Sequence, residues 1–141
     1  MLSLQGQRFL RPALRPTFQP KSLKTPQHMS VIPKRGLIQT INRTELEELL
    51  KKRDQDFLLV DVREPSEVLH TGPIPSAVNV PLGQLDTELA QNKMFADKEK
   101  PIIFYCKVGG RSELACELAK NLGYKNTKNY RGSAKEWFNL A

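Results

Sequence analysis

The sequence predicts an α/β domain with a largely parallel central sheet and helices on both faces, and three observations point there. The run Pro101-Ile102-Ile103-Phe104-Tyr105 is mostly β-branched or aromatic and reads as a buried strand. It leads directly into Cys106-Lys107-Val108-Gly109-Gly110-Arg111-Ser112, after which Leu114, Ala115, Leu118, Ala119 and Leu122 recur at helical spacing until Gly123 ends the pattern. Strand patterns alternate with helix patterns through the rest of the chain, which is the order of a parallel sheet with crossover helices.

Residues 1–36 stand apart. Residues 1–40 hold seven of the 22 Lys and Arg and none of the 15 acids, so the remainder is balanced in charge and the formal +7 belongs to the N-terminal segment. This segment is punctuated by Pro12, Pro16, Pro20, Pro26 and Pro33, and Leu2, Leu4, Phe9, Leu10 and Leu14 can line one face of a short helix. Arg-rich and acid-poor composition without a long apolar core predicts a mitochondrial transit peptide over residues 1–36, ahead of one domain over 37–141. A basic tail that binds an acidic partner is the other reading of the same composition. Arg35-Gly36 marks a candidate cleavage point near Leu37, and Met29 a candidate internal start. The address expected is the mitochondrial matrix.

A short first strand is expected over Gly36 to Ile41. Asn42 or Thr44 then caps a helix with Glu45 and Glu47 early, Leu46, Leu49 and Leu50 on its apolar face, and Lys51, Lys52 and Arg53 late, an order that suits the helix dipole. Phe57 to Val62 is apolar almost throughout and reads as a second, inner strand. Pro65 opens a short helical turn, Ala77 to Val80 makes a brief third strand, and Leu82, Leu85 and Leu89 mark the next helix. After a polar stretch around Asn92 to Lys100 come the strand, loop and helix already described. Asn126 to Tyr130 is the last strand, and Ser133 with Glu136 spells a capping box for a final helix with Ala134, Trp137 and Phe138 on its apolar face.

The chemistry concentrates at Cys106. A thiol at a strand end, a loop with Gly109 and Gly110, and a helix starting near Arg111 let successive backbone N–H groups turn inward beside a helix N-terminus. Such a cradle favours a thiolate and an anion next to it. In an open parallel sheet, ligands bind beyond the carboxyl ends of the strands, where Cys106 falls. The two cysteines, Cys106 and Cys116, make no disulfide framework. Cys116 lies within the helix pattern and reads as small buried filler. No stretch approaches the length needed to cross a bilayer, and the balanced domain offers no basic field for nucleic acid, so neither partner is expected.

Cys106 to Arg111 resembles the active-site loop of the rhodanese (thiosulfate sulfurtransferase) family. Leu58-Leu59-Val60-Asp61-Val62-Arg63-Glu64-Pro65-Ser66-Glu67, continuing into Ile74-Pro75-Ser76-Ala77-Val78-Asn79-Val80-Pro81, resembles the family's upstream signature. Tyr130-Arg131-Gly132-Ser133-Ala134-Lys135-Glu136-Trp137 is similar to its C-terminal one. The resemblance covers roughly residues 38–141 with all three blocks in the family's order, and no internal repeat is visible, which implies one rhodanese-like domain.

The resemblance implies that Cys106 is the nucleophile, taking sulfur from a small anionic donor such as thiosulfate as a persulfide and passing it to a thiol or cyanide acceptor. Lys107, Val108, Gly109, Gly110 and Arg111 would form the substrate cradle, with Lys107 and Arg111 as its cations. No cofactor or metal is called for. Asp61 and Arg63 are expected at the end of a strand beside the Cys106 strand, with Asp61 orienting Arg111 or the loop and Arg63 supporting the anionic site. A plain structural salt bridge is the alternative for that pair. No histidine is near the loop in sequence: His28 lies in the basic segment and His70 reads as a solvated loop residue.

Protein tyrosine phosphatases and related arsenate reductases use a similar cysteine-to-arginine loop but with five residues between the two. Here there are four, a smaller cradle that suits a sulfur atom better than a phosphoryl group. A persulfide carrier or protein-binding module is the remaining alternative, although non-catalytic modules of this kind commonly lack the cysteine. Two departures from the family pattern lie off the cradle. Proline stands at Pro73 where a histidine is usual, with one extra residue between Glu67 and Gly72, and four residues follow Trp137 where many relatives run through a glycine-rich end.

Overall fold

The structure is a computed structural model that describes residues 38–141. The expected transit peptide, with His28, Met29 and the Arg35-Gly36 point, lies outside the described residues, as does the start of the expected first strand.

Five strands, β1 (Gln39–Ile41), β2 (Leu58–Asp61), β3 (Val78–Asn79), β4 (Ile102–Tyr105) and β5 (Thr127–Tyr130), form one sheet in the order β1-β5-β4-β2-β3, every pair parallel. β4 is the middle strand, with Asp61 of β2 beside Tyr105 and Asn129 of β5 beside Phe104. Among the described residues, four α-helices connect them, α1 (Arg43–Lys51), α2 (Pro65–Thr71), α3 (Leu85–Gln91) and α4 (Gly110–Asn121), and α5 (Ser133–Trp137) follows β5.

The strand period of two splits the core into two layers. Ile102 and Phe104 join Val60, Leu85, Leu89, Ala115, Cys116 and Ala119, so α3 and α4 cover one face. Ile103 and Tyr105 join Ile41, Leu46, Tyr130 and Ala134, so α1 and α5 cover the other. All four β4 residues are buried because both faces are roofed, which is why that strand reads as unbroken apolar sequence.

Of the two expected caps for α1, Asn42 serves: its Oδ1 accepts from the Glu45 amide at 2.8 Å while Glu45 Oε1 accepts from the Asn42 amide at 3.0 Å. α2 is two full turns rather than one. Pro65 presets the first residue, and the Glu67 carboxylate reaches back to accept from the Glu64 amide at 3.0 Å. His70 therefore belongs to the last turn of a helix, not to a loop, and is exposed there. The polar stretch before β4 contains a 3-10 turn, Lys93–Phe95, whose buried Phe95 the surrounding charges concealed.

The capping box expected from Ser133 and Glu136 does not form. Ser133 takes φ +53° as the first residue of α5, so its hydroxyl points back to the Cys106 loop instead of capping the helix. Glu136 Oε1 is taken by the Tyr130 hydroxyl, which donates to it at 2.6 Å.

Candidate active site

Cys106 is the residue directly after β4 and is fully buried. Its backbone is held from the β5–α5 junction. The Cys106 amide donates to Ser133 Oγ at 3.1 Å, Ser133 Oγ donates to the Tyr130 carbonyl at 2.8 Å, and the Ala134 amide donates to the Cys106 carbonyl at 2.9 Å. The Lys135 amide continues the pattern, donating to the Lys107 carbonyl at 2.9 Å. The left-handed turn at Ser133 therefore docks the first amides of α5 onto the loop's carbonyls.

The loop closes on the sulfur. Gly109 takes φ +100° and its amide donates to Cys106 Sγ at 3.1 Å. A side chain there would also bring its Cβ within 2.7 Å of the Arg131 carbonyl oxygen, so glycine is required twice over, by conformation and by space. Gly110, by contrast, starts α4 with an ordinary φ and open space around it. Of the two glycines, only Gly109 shapes the cradle.

Ser112 lies under the same sulfur. Its buried hydroxyl is 3.4 Å from Cys106 Sγ and donates to Asn129 Oδ1 at 2.6 Å, while Asn129 Nδ2 donates to the Gly109 carbonyl at 3.2 Å. Burial alone pushes the Cys106 thiol up. The Ser112 hydroxyl and the amides of Ser112, Gly109 and Val108 outweigh it, and the net direction is down. At Cys116 burial and the Glu113 charge outweigh Lys120 and the Thr127 side-chain hydrogen bond, and its thiol is pushed up to about 12. The two cysteines, ten residues apart in one sequence, thus lie on opposite sides of the ordinary thiol value.

The arginine expected to be steered by Asp61 is steered by another residue. Arg111 makes a two-pronged pair with Glu67, Nη1 to Oε2 at 2.8 Å and Nη2 to Oε1 at 2.9 Å, both side chains about a third exposed. The Arg111 fork holds the Glu67 carboxyl down at about 2. Asp61 instead pairs with Arg63 at 2.7 Å, both essentially without exposure. Arg63 also donates to Thr71 Oγ1 at 3.1 Å and to the Gly72 carbonyl at 3.3 Å, and its guanidinium stands 5.7 Å from the centre of the Tyr105 ring. A short side chain at the end of β2 cannot reach α4 while two residues on a buried guanidinium claims it. The pair clamps β2 to the end of α2.

Lys107 and Val108 are exposed at the loop's outer side. Lys107 lines a groove of about 360 Å³ with Arg63, Ser66, Glu67, His70 and Thr71, so His70, remote in sequence, shares the space outside the loop. Among the described residues, no group of three or more His, Cys, Asp or Glu could hold a metal ion, and no helix is long and apolar enough to cross a membrane. Glu67, Ser112 and Asn129 are the site residues that sequence reasoning left without a role, and it gave Ser133 only a helix cap.

Fold and loop together define a parallel α/β domain that offers a buried thiol to the amides at the start of a helix. A profile of the Rhodanese-like domain matches residues 42–140, and the chain belongs to that family. It is 36% identical over 111 residues to a thiosulfate:glutathione sulfurtransferase of Saccharomyces cerevisiae, covering 71% of this chain and 78% of the relative. It is 37% identical over 102 residues to the thiosulfate sulfurtransferase RDL2, mitochondrial, of the same yeast, covering 66% and 68%. Among solved structures, the human single-domain sulfurtransferase TSTD1 superposes with a TM-score of 0.64 at 31% identity, over 72% of this chain and 96% of that one.

Proposed function

We propose that this protein is a sulfurtransferase that moves sulfane sulfur from thiosulfate or a related small anion to a thiol or cyanide acceptor, with Cys106 as the carrier. The observation that carries this reading is the amide of Gly109 aimed at Cys106 Sγ at 3.1 Å from the start of α4. Donors fixed in that position stabilise negative charge on the sulfur without reorganising.

In the first half-reaction the Cys106 thiolate attacks the outer sulfur of thiosulfate. A new S–S bond forms, the bond to the sulfonate sulfur breaks, and sulfite leaves with the electron pair. The negative charge once on Sγ then sits on the outer sulfur of the persulfide. In the second half-reaction an acceptor thiolate attacks that outer sulfur, the Sγ–S bond breaks, and Cys106 regains its charge. Sulfite leaves in the first step and the amide-held Cys106 thiolate in the second, each as a stabilised anion, so neither step needs a dedicated general acid. Lys107 supplies an exposed cation for the dianion at the groove. Arg111, already shared with Glu67, supplies less net charge and more rigidity.

Sulfur transfer is favoured over phosphoryl chemistry because four residues separate Cys106 from Arg111, and one of the loop's few amides is already spent on Sγ. Steady-state turnover separates the two: the protein turns over thiosulfate with a thiol or cyanide acceptor and stays near background with aryl phosphates. Robust aryl phosphate hydrolysis without thiosulfate turnover would reverse the assignment.

Residues 1–36 are proposed as a mitochondrial transit peptide, supported by their acid-free basic composition and by a relative named mitochondrial. The segment fused to a reporter carries it into mitochondria and is removed there. A reporter left in the cytosol contradicts the address without touching the chemistry.

A further inference from the structure

The hydroxyl of Ser112 has one hydrogen and two neighbours that can use it. Cys106 Sγ is 3.4 Å away and Asn129 Oδ1 is 2.6 Å away, and all three side chains are buried where no solvent can arbitrate. The orientation of the Asn129 amide decides the contest. Its Nδ2 donates to the Gly109 carbonyl at 3.2 Å, and turning the amide over would set Oδ1 against that carbonyl, acceptor to acceptor. The Gly109 carbonyl therefore holds Oδ1 toward Ser112, and the short contact draws the hydroxyl hydrogen away from the sulfur. In this arrangement the chain of donors runs from the Cys106 S–H to Ser112 Oγ to Asn129 Oδ1.

We propose that Asn129 competes with Cys106 for the single hydrogen of the Ser112 hydroxyl, and so is a positioning residue that limits how strongly the thiolate is stabilised. The inference rests on the reading of Cys106 as sulfur carrier. When Cys106 loses its proton to solvent or base, Sγ becomes the stronger acceptor and the hydroxyl rotates to donate to it, leaving Asn129 Oδ1 without that donor. When Cys106 attacks the donor, charge moves from Sγ to the outer sulfur and the hydrogen returns to Asn129. When the sulfur departs to the acceptor, charge returns to Sγ and the hydroxyl swings back. The full benefit of Ser112 to the thiolate is thus reduced by what Asn129 gives up. A thiolate held too tightly is a poor nucleophile, so this restraint keeps Cys106 reactive.

Other charged groups stand around the loop: Lys107 on it, Arg111 of α4 paired with Glu67 of α2, Asp61 paired with Arg63 at the end of β2, and Arg131 and Lys135 around the β5–α5 junction. They are common to wild type and variants, so differences between variants isolate the Ser112 hydrogen.

The test is the pH midpoint of Cys106 ionisation in the full chain. It is read from thiolate absorbance and from the alkylation rate of the Cys106 peptide by mass spectrometry. Asn129→Leu removes the acceptor at similar volume and frees the hydroxyl for sulfur, so the midpoint falls by about 0.5–1 pH unit. In a Ser112→Ala background the same change gives no fall. A role in bracing the loop alone predicts the opposite sign, because a loosened Gly109 amide raises the midpoint. A raised or unmoved midpoint, or an equal fall with and without Ser112, overturns the proposal. Should Asn129→Leu fail to fold, Asn129→Asp decides: its carboxylate holds the hydrogen harder, so the midpoint rises more with Ser112 present than in Ser112→Ala, and equal rises overturn the proposal. These titrations need no sulfur donor. Absence of thiosulfate turnover by the wild type, with the expected shifts intact, would refute the carrier reading while leaving the contest for the hydrogen standing.

Discussion

Arg111 and Glu67 face each other fork to fork, at 2.8 and 2.9 Å, and join the first turn of α4 to the first turn of α2. The Glu67 carboxylate also closes the start of its own helix by accepting from the Glu64 amide at 3.0 Å. One carboxylate therefore fixes both the helix behind the groove and the arginine at the end of the Cys106 loop. Arg111 is a strut as well as the cation proposed for the substrate, while Lys107, exposed and without such a partner among the described residues, is left to meet an anion.

This difference predicts distinct kinetic signatures. Lys107→Ala raises the thiosulfate KM by about two- to fivefold with kcat little changed, the scale of one exposed charge. Arg111→Ala lowers kcat as well, with kcat/KM down by about tenfold or more, because it releases the junction and strands Glu67. Equal effects confined to KM for both variants would contradict the strut role. Initial-rate kinetics at varied thiosulfate concentration measures it.

The same pair carries a pH signature. The Glu67 carboxyl is lowered from 4.5 to about 2 by the Arg111 fork, so its contribution to stability is fully present above 4.5 and is lost as pH falls through the window down to about 2. Thermal unfolding of wild type and Glu67→Gln should differ by a constant amount above that window. Within it, the difference should shrink as pH falls. A difference independent of pH across the window would mean the pair does not hold in solution.

The two glycines of the loop should part company. Gly109→Ala forces a side chain at φ +100° into the Arg131 carbonyl, costing about 2–4 kcal/mol and displacing the amide that meets Sγ. Gly110→Ala enters open space at a helix start and is neutral or stabilising by about 0.4–1 kcal/mol. Urea unfolding gives the stabilities, and thiosulfate turnover should survive only the second change.

The legible parts of this protein were those that local pattern controls. β4 and α4 followed from an apolar run and a helical period, and the cradle from a cysteine, two glycines and a helix start in one short stretch. The parallel character of the sheet followed from the alternation of strand and helix patterns, though not its strand order. Less legible were relations that cross between elements. Ser133 and Glu136 match a capping box in spelling, but Ser133 is needed by the Cys106 amide at 3.1 Å, and tertiary demand overrides the local signal. Asp61 was expected at Arg111 because β2 and β4 end side by side, yet the choice between Asp61 and Glu67 depends on how the first turn of α2 lies against α4, which no spacing specifies. Asn129 did leave a trace. In β5, Thr127 and Asn129 alternate with Lys128 in burial, and a polar residue on a core-facing step of a strand announces a buried partner. Which partner it serves becomes visible only when β5 is laid beside β4.

The central claim is that sulfur rides on Cys106, and intact-protein and peptide mass spectrometry after brief thiosulfate treatment tests it most directly. The predicted result is one added sulfur, about 32 Da, on the peptide holding Cys106, removed by a thiol acceptor or cyanide. Cys106→Ser should show no addition and no turnover, whereas Cys116→Ser, whose buried thiol stands at about 12, should keep both. Sulfur found on Cys116, or full turnover by Cys106→Ser, would contradict the account.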